Sequence, residues 1–322
     1  MIGNARFVNM QTPVLLLTWR RPETFRKVIN AIRPVAPTCL YVVSDGPNSD
    51  RPAEIKQVAK TRAIVDQEID WPCHIEKLYS ATNQGCRLGV SRGITWFFNH
   101  VDEGIILEDD CVPHPDFFAY CSTLLQRYRD DTRVWCISGT NFQAQQWRGD
   151  GSYYFSRYPY CWGWASWRRC WQHYDDELGR WPLLRDSGLL ATIFEYPSER
   201  KLWSQIWQRL VDQGQPDSWA YRWCFTCLAN SGLTAVPNRN LVSNVGFDKD
   251  ATHTTSQNNP AAVLSIDRGL DTLAPPSFLL RDAAADTYAF NHVFGGQNLR
   301  FPRSLIQGPK RLLALIWHWI VR

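Results

Sequence analysis

At 322 residues, with 44% hydrophobic and 20% charged side chains, the chain has material for one large globular domain or two small ones and is not disordered. The net charge of +4 is small and spread along the sequence, which argues against a dedicated nucleic-acid binder with its basic stripe.

Pro13 to Thr18 is an apolar run of buried-strand length, and Pro22 then opens a helical stretch to about Ile32, placed in the first turn where its missing N–H costs little. Cys39 to Ser44 reads as the next strand, stopped by Asp45-Gly46-Pro47-Asn48. Pro52 to about Ile69 reads as a helix, His74 to Leu78 as a third strand, and Leu88 to Asn99 as a helix. Gly104 to Leu107 is a fourth strand that runs into Glu108-Asp109-Asp110. Strands alternating with helices imply right-handed crossovers and a mostly parallel sheet, with ligands beyond the carboxyl ends of the strands. Asp45 and Asp109 both stand at such ends.

The second half changes character. Trp147 to Trp181 is crowded with Trp, Tyr, Arg and Gly; helices are expected near Glu199–Asp212 and Ser218–Asn230, and a strand and loop from Val236 to Phe247. Asp248 to about Ala285 is polar, Pro-rich and without periodicity, as in a long surface loop or lid. The last stretch, residues 309–322, is apolar with basic ends; as a helix it would gather Leu312, Leu313, Ile316, Trp319 and Ile320 on one face, against either an anionic membrane surface or the core. Sixteen Trp suggest a large aromatic core, and also the flat faces that carbohydrate-handling proteins use. The ten Cys lie mostly in apolar runs, as small hydrophobes do. Cys224-x-x-Cys227 lacks a second pair or a histidine at zinc distance and reads as core thiols. With no signal-peptide pattern and no apolar run of ~18 residues, the expected setting is cytoplasmic, with peripheral contact on the inner membrane face left open.

The acidic triplet carries the chemistry. Three adjacent carboxylates repel in a low-dielectric site unless something positive compensates. Their oxygens suit the hard cations Mg²⁺ and Mn²⁺, which bridge to phosphate. A bare Glu-Asp-Asp would read as a solvated turn; the apolar strand before it and Cys111-Val112-Pro113-His114-Pro115-Asp116-Phe117-Phe118 after it favour a built site.

Pro13 to Thr24 resembles the opening strand and helix of GT-A glycosyltransferases, and Ile106 to Phe118 is similar to the Glu-Asp-Asp region of the N-acetylglucosaminyltransferase I family. Arg133 to Asn141 and Tyr160-Cys161-Trp162-Gly163-Trp164 continue the likeness, which covers about residues 12–255. The resemblance implies an α/β, GT-A-type (Rossmann-like) fold: a mostly parallel sheet flanked by helices, with an aromatic-rich acceptor-side half. It divides the chain into a nucleotide-sugar-binding half (1–145), an acceptor-side half of the same domain (146–260) and a C-terminal loop and helix (261–322). It also implies inverting transfer from a nucleotide-sugar, a UDP-sugar such as UDP-GlcNAc, with Mn²⁺ or Mg²⁺. The acceptor would be a glycan or a lipid-linked saccharide, as in polysaccharide or cell-surface glycan assembly.

By the same resemblance Asp110 matches the metal-ligating aspartate, Asp109 the one facing the ribose, and Glu108 the acid that supports the donor sugar. Asp45 matches the residue that reads the uracil edge, though an Asx-turn before Gly46-Pro47 would also use it. Arg21 matches the arginine near the nucleotide, with Arg20 one register away. Arg87 and Arg92, in Asn83-Gln84-Gly85-Cys86-Arg87-Leu88-Gly89-Val90-Ser91-Arg92-Gly93, are further donor-binding candidates able to neutralise phosphate. The histidine that the family carries in this helix is absent. An inverting enzyme needs a carboxylate base for the acceptor hydroxyl. Asp217-Ser218-Trp219 resembles that site, with Ser where a second acid would stand; Asp175, Asp176 and Glu177 are the alternatives, and a helix-capping role would also use Asp217. His253 is a candidate metal ligand from the far half, and Trp162, Gly163 and Trp164 are candidates for the acceptor and sugar side. Two rival readings are a glycoside hydrolase, which would set two carboxylates apart across a sugar, and a non-catalytic carbohydrate-binding protein on a degenerate transferase fold.

Overall fold

The computed structural model describes residues 10–246, 266, 270 and 273–299. His253 and the 309–322 segment therefore lie outside the described residues, as does most of the loop expected from Asp248.

The elements follow one another as β1 (Val14–Thr18), α1 (Pro22–Ile32), β2 (Cys39–Ser44), α2 (Pro52–Gln67), β3 (His74–Tyr79), α3 (Gly85–His100), β4 (Glu103–Glu108), β5 (Cys111–Pro113) and α4 (Pro115–Arg127). They continue with β6 (Val134–Ser138), β7 (Tyr153–Ser156), β8 (Trp164–Trp167), α5 (Arg168–Trp171), α6 (Trp181–Asp186), α7 (Leu190–Ile193), α8 (Pro197–Gln213), α9 (Ala220–Ala229), β9 (Leu233–Pro237), β10 (Val242–Asn244) and α10 (Ala283–His292). From β1 to β4 the elements match their sequence pattern to within a few residues, whereas β5 and α4 were not expected. β1 is buried at all five positions, as a strand covered on both faces must be. α1 starts on Pro22 and turns Phe25, Val28, Ile29 and Ile32 inward at helical spacing.

Eight strands form one α/β sheet in the order β3-β2-β1-β4-β8-β6-β9-β7. β3, β2, β1 and β4 pair in parallel, β8 runs antiparallel between β4 and β6, β6 and β9 are parallel, and β7 closes the edge antiparallel to β9. Six strands thus point one way and two the other, so the sheet is mostly parallel. The chain winds outward from β1 to β3, then returns to place β4 on the other side of β1, with Leu17 opposite Glu108. A crevice opens outside the strand ends at such a reversal of winding.

β5 and β10 make a separate antiparallel pair in which Asn244 lies opposite Cys111. The expected strand from Val236 to Phe247 is therefore two elements, β9 in the large sheet and β10 on β5. The strands β6, β7 and β8 escape sequence periodicity because they are buried on both faces and show no alternation. α3 starts at Gly85, three residues before the expected start, and α10 starts at Ala283, inside the end of the expected loop.

One apolar core spans the large sheet and a second gathers α8, α9 and α10 around Trp181, Trp203, Trp207, Phe225 and Phe290. Among the described residues ten tryptophans are buried, so most of the aromatic excess there is core. All ten cysteines are free thiols, and Cys224 and Cys227 are buried on α9.

Candidate active site

The reversal between β1 and β4 puts the residues after Thr18 beside those after Leu107, and a cavity of about 280 Å³ opens there. Its lining includes Asp45 from the end of β2, Asp217 from the loop before α9, Glu108, Asp109 and Asp110 from the end of β4, and Arg21. Five carboxylates and one guanidinium thus converge from four separate stretches of chain.

Arg21 is the residue that caps the start of α1, and its Nη1 lies 2.6 Å from Asp110 Oδ2 and 4.0 Å from Asp109 Oδ1. These side chains are 10%, 3% and 11% exposed for Arg21, Asp110 and Asp109, so the pairing is shielded from water. Arg20, one register away, points elsewhere: it pairs with Glu54 at 2.8 Å and lies over the Trp19 ring. The acids themselves are held in place. Asp109 Oδ2 accepts the Trp19 backbone N–H at 3.1 Å. Asp110 Oδ1 accepts from Asn244 Nδ2 at 3.3 Å and from the Cys111 thiol at 3.6 Å, and its carbonyl accepts the Val245 N–H. The β5–β10 pair thereby braces Asp110 from behind.

Asp45 has a largely structural set of partners. Its carboxylate accepts the backbone N–H groups of Gly46, Gln84 and Gly85 and the Asn83 amide, pinning the start of α3 to the end of β2. An anion at this position also meets the positive end of the helix dipole. Burial raises the Asp45 carboxyl above its ordinary range, against the lowering effect of these N–H groups. The Asx-type anchoring is thus present, and the same side chain still lines the cavity.

Asp217 approaches the first residue of α3 from the other side, close enough that a Cβ on Gly85 would stand 2.8 Å from its Oδ2. α9 begins at Ala220 without a side-chain cap, and among the described residues the Asp217 carboxylate has no hydrogen-bond or ion-pair partner. Cys86 marks where the groups meet: burial pushes its thiol well up, and Glu108, Asp217 and Asp45 push it further.

Glu108 also borders a second, smaller cavity of about 50 Å³, walled by aromatic residues including Phe142, Tyr160, Trp162, Trp203 and Trp219. Trp203 is fully buried, and among the described residues its indole N–H has no hydrogen-bond acceptor. Trp162 is half-buried at this cavity, but the other two members of its triplet are not available to a ligand. Gly163 is buried with φ +63° against Val242, and Trp164 is fully buried on β8, stacked on Trp219. The left-handed turn at Gly163 breaks the alternation that would have placed Trp162 and Trp164 on one face.

Other sequence candidates are kept out of the cavity by ion pairs. Arg87 points away to Asp176 at 2.6 Å and also pairs with Glu177, while Arg222 donates to the Asp176 carbonyl. Arg87, Asp176 and Glu177 therefore neutralise one another and tie α3 to the loop before α6; Asp175 caps turns within that loop. Arg92 is exposed and donates to Gln84. The sequence reading missed Trp19, Asn83, Cys86 and Asn244. Trp19 had a legible signal in its place directly after a buried strand, and Asn83 and Cys86 in lying within the segment that carries Arg87 and Arg92.

Among the described residues no group of three or more His, Cys, Asp or Glu side chains has the arrangement of a metal centre. The lining still fits a divalent cation shared with a phosphate ligand, because Mg²⁺-type ions there use only one or two carboxylates. Hard oxygen donors are present in Asp110 and Asp109, the lining carries five acids against one arginine, and that arginine's guanidinium already stands on Asp110 as a cation. No helix among the described residues is long and apolar enough to cross a membrane. No family model and no curated protein matches the chain. Among solved structures it is similar to a UDP-glucose pyrophosphorylase complexed with UDP-glucose, with a TM-score of 0.29 and 7% identity over 51% of this chain and 78% of that one. A likeness at that level says nothing about the reaction.

Proposed function

We propose that the chain is a glycosyltransferase that moves a sugar from a nucleoside-diphosphate donor to a hydroxyl of a glycan or lipid-linked saccharide, with inversion. The observation that supports this reading most strongly is the convergence of Asp217, Glu108, Asp109, Asp110 and Arg21 on one cavity at the reversal between β1 and β4. A bound Mn²⁺ or Mg²⁺, held by Asp110 with Asp109 beside it, would neutralise the diphosphate and ease its departure.

In this reading Arg21 faces the diphosphate, Asp45 and the start of α3 border the nucleoside, and Glu108 stands at the donor sugar between the two cavities. Asp217 takes the proton from the acceptor hydroxyl as its oxygen bonds to the anomeric carbon. The bond from that carbon to the phosphate oxygen breaks, and its electron pair leaves with the nucleoside diphosphate. Of the four acids considered for the base, Asp217 alone lines the cavity. The aromatic side cavity that Glu108 borders is the candidate place for a substituent of the donor sugar, and a donor such as UDP-GlcNAc rests on the sequence resemblance. Uracil as the base rests on the sequence resemblance.

A thermal-shift screen of nucleotide-sugars with and without Mn²⁺ tests the proposal. At a hundred times its Kd, a ligand should stabilise the fold by about 2.7 kcal/mol. Asp110→Ala should lose the Mn²⁺-linked part of that stabilisation while remaining folded. Equal calorimetric affinity of Asp110→Ala and wild type for the Mn²⁺–nucleotide complex would remove the metal assignment. No response to any nucleotide-sugar would remove the transferase reading.

A further inference from the structure

We infer that Arg21 and a divalent cation exchange on Asp110, so that cation and diphosphate bind as a coupled pair and Arg21 is a positioning residue for the donor. This rests on reading the cavity as a nucleoside-diphosphate site, and it adds a device that the reading alone does not contain.

The argument starts from which groups can move. Asp110 is braced through its second oxygen by Asn244 and Cys111 and through its carbonyl by Val245, and Asp109 is held by the Trp19 N–H. The carboxylates are therefore the fixed half of the ion pair. Arg21 is the longer arm of the pair: it sits on the short connection between β1 and α1, and its side chain reaches Asp110 through four rotatable carbon–carbon and carbon–nitrogen bonds. At 2.6 Å its Nη1 covers Asp110 Oδ2, which is the oxygen that a cation in the cavity would share. Both cannot hold that oxygen at short range, since like charges at contact repel strongly in a shielded site.

A cation that binds alone must therefore push the guanidinium off Asp110. The displaced charge is 10% exposed where it now lies and would give up its 2.6 Å contact with Asp110, which is costly in a shielded pocket. A diphosphate that binds alone brings more negative charge into a lining that already carries five acids. When both arrive, the cation takes Asp110 and the guanidinium moves to a phosphate oxygen, a bidentate match that arginine makes well. Each ligand then raises the affinity of the other by the same factor, as linkage requires.

The test uses the full chain and reads free Mn²⁺ by its electron paramagnetic resonance signal, with UDP as the nucleotide probe. Removing the competitor in Arg21→Met should tighten binding of Mn²⁺ alone by about tenfold and shrink the tightening produced by UDP by at least that factor. Formation of the Mn²⁺–UDP complex in solution is common to both proteins and cancels. Arg21→Lys, which keeps the charge on a shorter donor, should fall between the two. If Arg21→Met binds Mn²⁺ alone no more tightly than wild type, exchange is overturned while the nucleotide reading stands. If wild type binds no UDP even with Mn²⁺, the nucleotide reading fails and exchange fails with it. Circular dichroism melting checks each fold; should the Met variant not fold, the Lys variant decides, and unchanged Mn²⁺ affinity there counts against exchange.

Discussion

Replacing Gly85 by alanine should damage both stability and turnover, through two separate effects. Gly85 opens α3 with φ +82°, a left-handed conformation that costs an L-residue about 1–2 kcal/mol. The added Cβ would also stand 2.8 Å from Asp217 Oδ2, where ordinary contact begins at 3.4 Å. Because Asp217 is the free end of a side chain, it can retreat by the missing six-tenths of an ångström, so the clash should appear as displacement more than as strain. If Asp217 is the base, a shift of that order should lower kcat by about 10–10²-fold. The backbone term should lower Tm by about 1.5–3 °C. Asp217→Asn is the comparison: it is isosteric and unstrained, and should lose about 10²–10⁴-fold in kcat with little change in Tm. Kinetics on a responsive nucleotide-sugar, with differential scanning calorimetry on both variants, separates the effects. A Gly85→Ala protein with wild-type kcat and Tm would refute the close approach, and an active Asp217→Asn protein would refute the base.

Two further outcomes follow from the buried charges. Asp286 is fully buried, and burial pushes its carboxyl up from 3.8 to about 6. Between those values the folded state holds the proton more tightly than the unfolded one, so its contribution to stability is full below about pH 4 and declines as pH rises to about 6, by about 3 kcal/mol. The difference in unfolding free energy between wild type and Asp286→Asn, measured in urea from pH 4 to 7, should follow that slope; a flat difference would contradict it. Arg87→Ala should loosen the loop carrying Asp176 and Glu177 yet leave the Kd for donor within twofold of wild type, since Arg87 is committed to those acids. A tenfold weaker Kd by calorimetry would return Arg87 to the donor site.

The first half of the sheet was legible because β1, β2 and β4 are largely apolar, buried runs, α1 and α2 open on Pro, and α1 carries a regular apolar face. The end of β4 could be picked as a site for the same reason, since three acids after a buried strand have little room to be incidental. The strand character of β7 and β8 was hidden, because residues such as Tyr153, Trp164 and Trp167 are buried on both faces and look the same in any element.

Local sequence by itself determined the order of strands and helices from β1 to β4 and which acids stand at strand ends, because prolines and apolar runs act within a few residues of themselves. It could not decide partners. Only the tertiary structure separates Arg21, which reaches Asp110, from Arg20, which turns to Glu54, and only it pairs Arg87 with Asp176 across 89 positions. The same holds for Asp217, brought to the cavity by its packing against Gly85, while Asp175, Asp176 and Glu177 are held outside it. Ion pairing and burial are set by what lies across the fold, and that information is spread over residues far apart in the chain.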